Sequence, residues 1–255
     1  KNFKFQMQAV KRLQQRALLA TRMTTQQFTF APQMIAMQRM AFSTDVARVN
    51  KGANLLRKAI EKEVKFENDN YSQLEDIETF LDESGFAYNE EDNGIKMTLT
   101  KTVGDKTIEV HFEARQPLPD EEFPEEEHQE GEEDEDRPSE NYCDFTVFIT
   151  ESDGKRGLVV DATSMDTSIQ FNSVAVSQDI ASHRDIHRYE RAMKTYAGPE
   201  FTTLDERIQS AITQMLEGYG VNEHLAAFVE CMSLDKDQRL YMQWLGDLKS
   251  FVDEE

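Results

Sequence analysis

Cysteine is nearly missing: Cys143 and Cys231 are the only two in 255 residues. Two thiols cannot build a disulfide framework, and a reducing compartment is the simpler reading. No apolar run reaches about 18 residues, so no transmembrane helix is expected. Bases are few, 28 against 49 acids, for a net charge of −21 and a pI near 4.6. A phosphate loop, Gly-x-Gly-x-x-Gly, Gly-x-Ser-x-Gly and His-Glu-x-x-His are all absent. Their absence removes the common signatures of nucleotide, dinucleotide, serine-hydrolase and zinc-protease chemistry.

Acid is itself missing from residues 1–44, which hold seven bases (Lys1, Lys4, Lys11, Arg12, Arg16, Arg22 and Arg39). That leaves 21 bases and 49 acids for the remainder, a net charge of −28. A body of that sign repels phosphate, which argues against sequence-specific nucleic-acid binding. The spacing of Val10, Leu13 and Ala17 with Lys11, Arg12, Arg16 and Arg22 predicts a helix with an apolar and a basic face. Acid-poor, Arg-bearing and amphipathic is the composition of a mitochondrial transit peptide, and Leu18-Leu19-Ala20 is too short for a secretory core. The alternative is a basic tail docked on the acidic body. Residues 1–44 are therefore read as a targeting or retained basic segment, and 45–255 as one acidic domain.

Hydrophobic residues make up 38% of the chain, enough for a core. Val46, Val49, Ala53, Leu56, Ile60 and Val64 recur at spacings of three and four, which predicts a helix over Asp45–Phe66. Leu74, Ile77, Phe80 and Leu81 predict a shorter one, ended by Ser84-Gly85. Alternation follows. Ile95, Met97 and Leu99, then Ile108, Val110 and Phe112, read as a hairpin between Asp92-Asn93-Gly94 and a turn at Gly104-Asp105. Cys143, Phe145, Val147 and Ile149, then Leu158, Val160 and Ala162, and finally Ile169–Val176, continue it. Residues 86–177 thus read as five to seven antiparallel strands with one buried and one polar face.

After Pro199 the period changes again. Thr203-Leu204-Asp205-Glu206 has capping-box spacing before a stripe of Leu204, Ile208, Ile212, Met215 and Leu216. Gly218-Tyr219-Gly220 stops that helix. Asn222 is expected to cap the next, carrying Leu225, Phe228, Val229 and Met232. Asp235 is expected to cap a last one, carrying Leu240, Trp244, Leu245, Leu248, Phe251 and Val252. That terminal stripe needs a partner, and the Asp45–Phe66 helix is the available one; Trp244 is expected in the core. Helix, antiparallel sheet, helices is an α+β pattern.

Asp120 to Glu140 holds thirteen acids and one base, Arg137, and interrupts two good strands. It reads either as a solvated loop or as an electrostatic surface for basic partners. Its carboxylates attract hard cations, but the spacing matches no EF-hand. His183 and His187, spaced i, i+4, could share a helical face, a weak metal signal without a third ligand. Cys143 and Cys231 read as small buried apolar residues rather than nucleophiles. Asn70-Tyr71-Ser72 is a glycosylation triplet of the kind common by chance. No complete catalytic, cofactor or metal set is visible, and no enzyme is expected.

Tyr196-Ala197-Gly198-Pro199-Glu200-Phe201-Thr202-Thr203-Leu204-Asp205 resembles the Tyr-x-Gly-Pro-x-Phe-x-x-Leu-Asp signature of the mitochondrial acidic matrix protein family. That family is also called mitochondrial glycoprotein, or the complement component 1 Q subcomponent-binding protein family. Tyr219-Gly220-Val221 takes the place of its Arg-Gly-Ile turn. Tyr241-Met242-Gln243-Trp244-Leu245 with Leu248, Phe251 and Val252 resembles its closing helix. The hairpin through Ile108–Phe112 and the acidic insert also stand in the family's order, so the resemblance covers about residues 45–255. It implies a ring-shaped homotrimer. Each subunit would have a highly twisted antiparallel sheet of about seven strands, flanked by one N-terminal and two or three C-terminal helices, with the terminal helices paired. It implies a non-enzymatic matrix protein linked to oxidative phosphorylation or mitochondrial translation. Within that pattern, Tyr196, Gly198, Pro199, Phe201, Leu204, Asp205, Tyr241, Trp244, Leu245 and Phe251 carry the motif and the helix packing.

Two functions compete. The first is an acidic trimeric adaptor or chaperone that captures basic matrix proteins. Glu121, Glu122, Glu125, Glu126, Glu127, Glu132, Glu133, Asp134, Glu135 and Asp136 act there as a field rather than as single contacts. The second is a fixed subunit of a respiratory complex or the mitochondrial ribosome, anchored by residues 1–44 through Phe28, Phe30, Met34, Ile35 and Met37.

Overall fold

The computed structural model describes residues 46–114, 142–184 and 186–253. The expected presequence helix, the contacts at Phe28, Phe30, Met34, Ile35 and Met37, and the acidic insert with its ten named carboxylates lie outside the described residues. The chain divides into two compact units after Arg57. In the first, the opening turns of helix α1 (Val46–Asn70) leave Val46, Val49, Leu55 and Leu56 exposed. These residues include part of the stripe expected to be buried.

The second unit holds an antiparallel sheet. Strands β1 (Ala87–Glu90), β2 (Lys96–Val103), β3 (Lys106–Glu113), β4 (Tyr142–Thr150), β5 (Gly157–Met165) and β6 (Ser168–Ser177) each pair with the next in sequence. The described residues thus form six strands, inside the range read from alternation and one fewer than the resemblance implies. Alternation sets the register: Leu99 pairs Val110, Val110 pairs Val147, and Val147 pairs Val160, all four fully buried on one face. A bulge between Asp161 and Ala162 restores the inward phase, so that Phe171 opposite Ala162 faces the core.

Helices cover this inner face. Helix α2 (Glu75–Ser84) contributes Ile77 and Phe80 and ends at Gly85, whose φ of 71° is the left-handed conformation a helix stop favours. Short helices α3 (Ala181–Arg184) and α4 (Arg188–Lys194) follow β6; a 3-10 turn (Phe201–Thr203) leads to α5 (Glu206–Gly218) and then α6 (Glu223–Asp253). Phe80 and Phe228 stack with ring centroids 4.5 Å apart, and Leu216, Leu225, Val229 and Met232 complete the core.

Three expectations need correction. Asp235 starts no helix: α6 runs unbroken from Glu223 to Asp253, and Asp235 lies inside it accepting from Arg239 Nε at 2.8 Å. Asp is a poor helix interior residue in isolation, and here an i, i+4 partner supports it. Asn222 does cap α6, its Oδ1 accepting from the backbone of His224 and Leu225. Thr203 caps nothing. Its hydroxyl donates to Glu200 O, and Asp205 is the cap of α5, accepting from Arg207 N at 3.1 Å. Finally, Trp244 is 54% exposed in this chain, and Phe251 is exposed as well. Leu245 and Val252 supply the buried side of that stripe. The second half of α1 does lie along α6, through Tyr241 to Glu63, Gln238 to Glu67 and Lys249 to Glu61, with Ile60 buried.

Candidate functional site: the outer face of the sheet

The outer face was expected to be polar. Over β3–β5 it is instead covered, because α3 and α4 fold back on it. Phe148, Val159, Ala175 and Ile180 form a small apolar cluster there. Around it stand carboxylates from three successive strands: Glu109 on β3, Asp144 on β4 and Asp161 on β5. Each takes an arginine from the covering segment. Arg184 grips Glu109 bidentately, Nε to Oε2 at 2.6 Å and Nη2 to Oε1 at 2.9 Å. Arg188 meets Asp144 at 2.7 Å. Arg191, nearly fully buried, donates to Asp161 at 2.5 Å and to Thr146 Oγ1 at 3.0 Å, over the ring of Phe148. A hydrogen bond from His111 and the charge of Arg184 hold the Glu109 carboxyl below the usual range, against its burial.

Beside this segment lies an open groove of about 820 Å³, lined by Lys96, Thr98, His111, Glu113, Tyr142, Asp144, Arg184, Ile186, His187, Arg188 and Glu190, among others. Its lining includes the end of β3 at Glu113 and the start of β4 at Tyr142. The arginine cover was not read from sequence. Its signal was present in Arg184, Arg188 and Arg191 at spacings of four and three.

His183 and His187 share no helical face: one lies in α3 and the other precedes α4. No group of three His, Cys, Asp or Glu side chains among the described residues is placed to hold a metal ion. Burial pushes the Cys143 thiol up to about 12, so no thiolate forms at neutral pH. Cys231 is half-buried in α6. No helix among the described residues is long and apolar enough to cross a membrane.

The motif residues have structural jobs. Gly198 sits at φ 85°, and a Cβ there would lie 2.4 Å from Val174 O. This close approach lets Glu200 bridge Ser173 at the β6 edge. Phe201 then packs on Phe171 with centroids 5.4 Å apart, Leu204 packs against the core, and Asp205 caps α5. Pro199 is exposed between them, and Tyr196 is 83% exposed. Tyr241 stacks on Trp244 at 6.0 Å, on the open side of α6.

Known proteins share both sequence and fold. The mitochondrial acidic protein mam33 of Schizosaccharomyces pombe is 29% identical over 129 residues, 48% of each chain. The mitochondrial complement component 1 Q subcomponent-binding proteins of Mus musculus and Rattus norvegicus are each 27% identical over 166 residues, 63% of this chain and 59% of theirs. The matches thus span about half to three-fifths of these relatives' length. A Leishmania major protein described as a sequence homologue of human p32 shares the fold with a TM-score of 0.62 at 19% identity, covering 79% of this chain and 99% of its own. The Trypanosoma brucei p22 protein does so at 0.58 and 21% identity, covering 79% and 98%. The relatives are mitochondrial by name, which places this chain in the mitochondrion. The family model described as mitochondrial glycoprotein matches residues 60–252, most of the chain, and the protein belongs to that family.

Proposed function

We propose that this protein is a non-enzymatic acidic adaptor or chaperone of the mitochondrial matrix, a homotrimer that captures basic proteins and supports oxidative phosphorylation or mitochondrial translation. Charge placement carries the reading. Thirteen of the acids fall between Asp120 and Glu140, with a single base among them. Many cations of the body are committed to internal carboxylates: Arg184 to Glu109, Arg188 to Asp144, Arg191 to Asp161, Arg239 to Glu90 and Asp235. What remains for a partner is negative. Such a field steers positive partners and raises the association rate, while leaving their identity open. The ten named carboxylates of the insert act together. The aromatic side of α6, Tyr241, Trp244 and Phe251, supports the trimer as apolar surface in need of a neighbour.

Native fractionation of mitochondria at low and high salt, with the protein followed by mass spectrometry, tests this. An adaptor runs at about three times the 29.5 kDa chain and loses its partners in salt. Salt-resistant migration with one large assembly, with peptides of residues 1–44 attached, would make it a fixed subunit instead.

A further inference from the structure

Resting on that reading, we propose where on the folded body a captured partner docks and what it displaces. The outer face of β3–β5 is a binding face for arginine-rich segments, and α3–α4 occupies it in cis as an internal stand-in for such a partner.

Residues 181–194 read Ala-Ser-His-Arg-Asp-Ile-His-Arg-Tyr-Glu-Arg-Ala-Met-Lys, four Lys or Arg and two His against two acids, within a strongly acidic chain. The segment is a basic peptide in composition, and it is bound as one. Its arginines project at i, i+4 and i+7 onto a row of carboxylates presented by neighbouring strands. The forked pairing of Arg184 with Glu109 is the geometry by which guanidinium groups recognise carboxylates in general.

The hold is chiefly ionic. Helices α3 and α4 span four and seven residues, too short to persist alone, and the apolar cluster beneath them is small beside the inner core. At the segment's far end Met193 is 80% exposed. Arg191 keeps one donor, Nε, buried with no acceptor although the residue is only 4% exposed, so the cis segment does not satisfy its site completely. The open groove lies against the same segment. A basic segment seated in the groove meets Asp144 and Arg188 in its lining, and beside them Arg184 in its pairing with Glu109. There its own arginines can exchange for Arg188 and Arg184, the two partly exposed members of the set. Partner binding is displacement, and the cis segment sets its threshold.

The test uses the full chain and a fluorescent peptide with the sequence of residues 181–194. Arg184→Gln with Arg188→Gln loosens the stand-in while keeping the buried Arg191. That variant is expected to bind the peptide at least about tenfold more tightly than the unaltered protein. Adding Glu109→Gln and Asp144→Asn is expected to remove the gain. Neutralising the ten insert carboxylates should slow association in both proteins and leave the gain in place. An unchanged affinity, or a gain that survives Glu109→Gln and Asp144→Asn, overturns the inference. Loss of all insert dependence with the gain intact would instead overturn the capture reading alone. If the double variant does not fold, hydrogen exchange on the unaltered protein decides. Saturating peptide should speed exchange in residues 181–194, and unchanged exchange there refutes displacement.

Discussion

Arg239 on α6 clamps Glu90 on β1 with two hydrogen bonds of 2.7 Å, Nη1 to Oε1 and Nη2 to Oε2. Tyr88 donates to the same carboxylate at 2.6 Å, and the buried Lys236 stands 3.4 Å from it. Arg239 and the hydroxyl of Tyr71 also meet at Asp235. One polar network therefore ties the end of α1, the first strand and the long helix together.

Glu90 should make the fold acid-sensitive. Chiefly the Arg239 hydrogen bonds hold its carboxyl down to about 2 from 4.5, against burial. A depressed carboxyl contributes stability that is complete above the unfolded value and lost as pH falls from about 4.5 towards 2. Glu90→Gln should cost about 1–3 kcal/mol at neutral pH and flatten the acid limb. Urea melts of both proteins from neutral to acid pH measure this, and parallel curves would be the wrong outcome.

Glu230 should behave oppositely. It is buried on α6, accepting from Ser164 Oγ and from Thr167 N at 2.9 Å, and desolvation raises its carboxyl. A raised carboxyl contributes stability that is full below the unfolded value and lost as pH rises through the folded one. Glu230→Gln keeps an acceptor for Thr167 and removes the titration. The variant should gain on the parent as pH rises above the normal carboxylate range, which the same melts read out.

The capping assignment separates two neighbours. Asp205→Ala should lower stability by about 1 kcal/mol through the lost cap of α5. Thr203→Ala should cost less than half of that. Thermal melts in which Thr203→Ala is the more harmful would restore the capping box.

Much of this architecture was legible in the residues, and the misreadings share a cause. The strands and α2 announced themselves because their apolar periods end at turns: Gly85, Gly94 and Gly104 sit where chemistry requires a reversal. Thr203 was taken for the cap because its spacing to Glu206 fits a capping box, and Asp235 because a short acidic side chain is a good cap wherever a helix can begin. The partners of Asp235, Tyr71 from across the fold and Arg239 one turn on, show that the helix continues through it. Trp244 was misplaced because helical spacing marks a stripe as apolar without saying whether the chain's own core covers it. The arginine cover of the outer face was hidden because its carboxylates come from three strands far apart in sequence, each an ordinary polar position in its own alternation. The ten insert carboxylates were found by composition alone, and their role remains a proposal.

Two aromatic positions on α6 should divide fold from assembly. Phe228, 3% exposed, packs on Phe80, Tyr88 and Phe112. Phe228→Ala should cost about 3–5 kcal/mol. Trp244→Glu should leave the circular dichroism spectrum unchanged and shift the mass found by light scattering from trimer towards a single chain. A trimer that tolerates Trp244→Glu would place its interface elsewhere.

Electrostatic capture is the central claim, and association kinetics test it most directly. The on-rate of a fluorescent arginine-rich peptide is measured by stopped flow from low to high salt, with the native insert and with its ten carboxylates neutralised. The account predicts an on-rate that falls at least about tenfold across that range for the native protein and stays nearly flat for the neutralised one. An on-rate indifferent both to salt and to the insert carboxylates would contradict it.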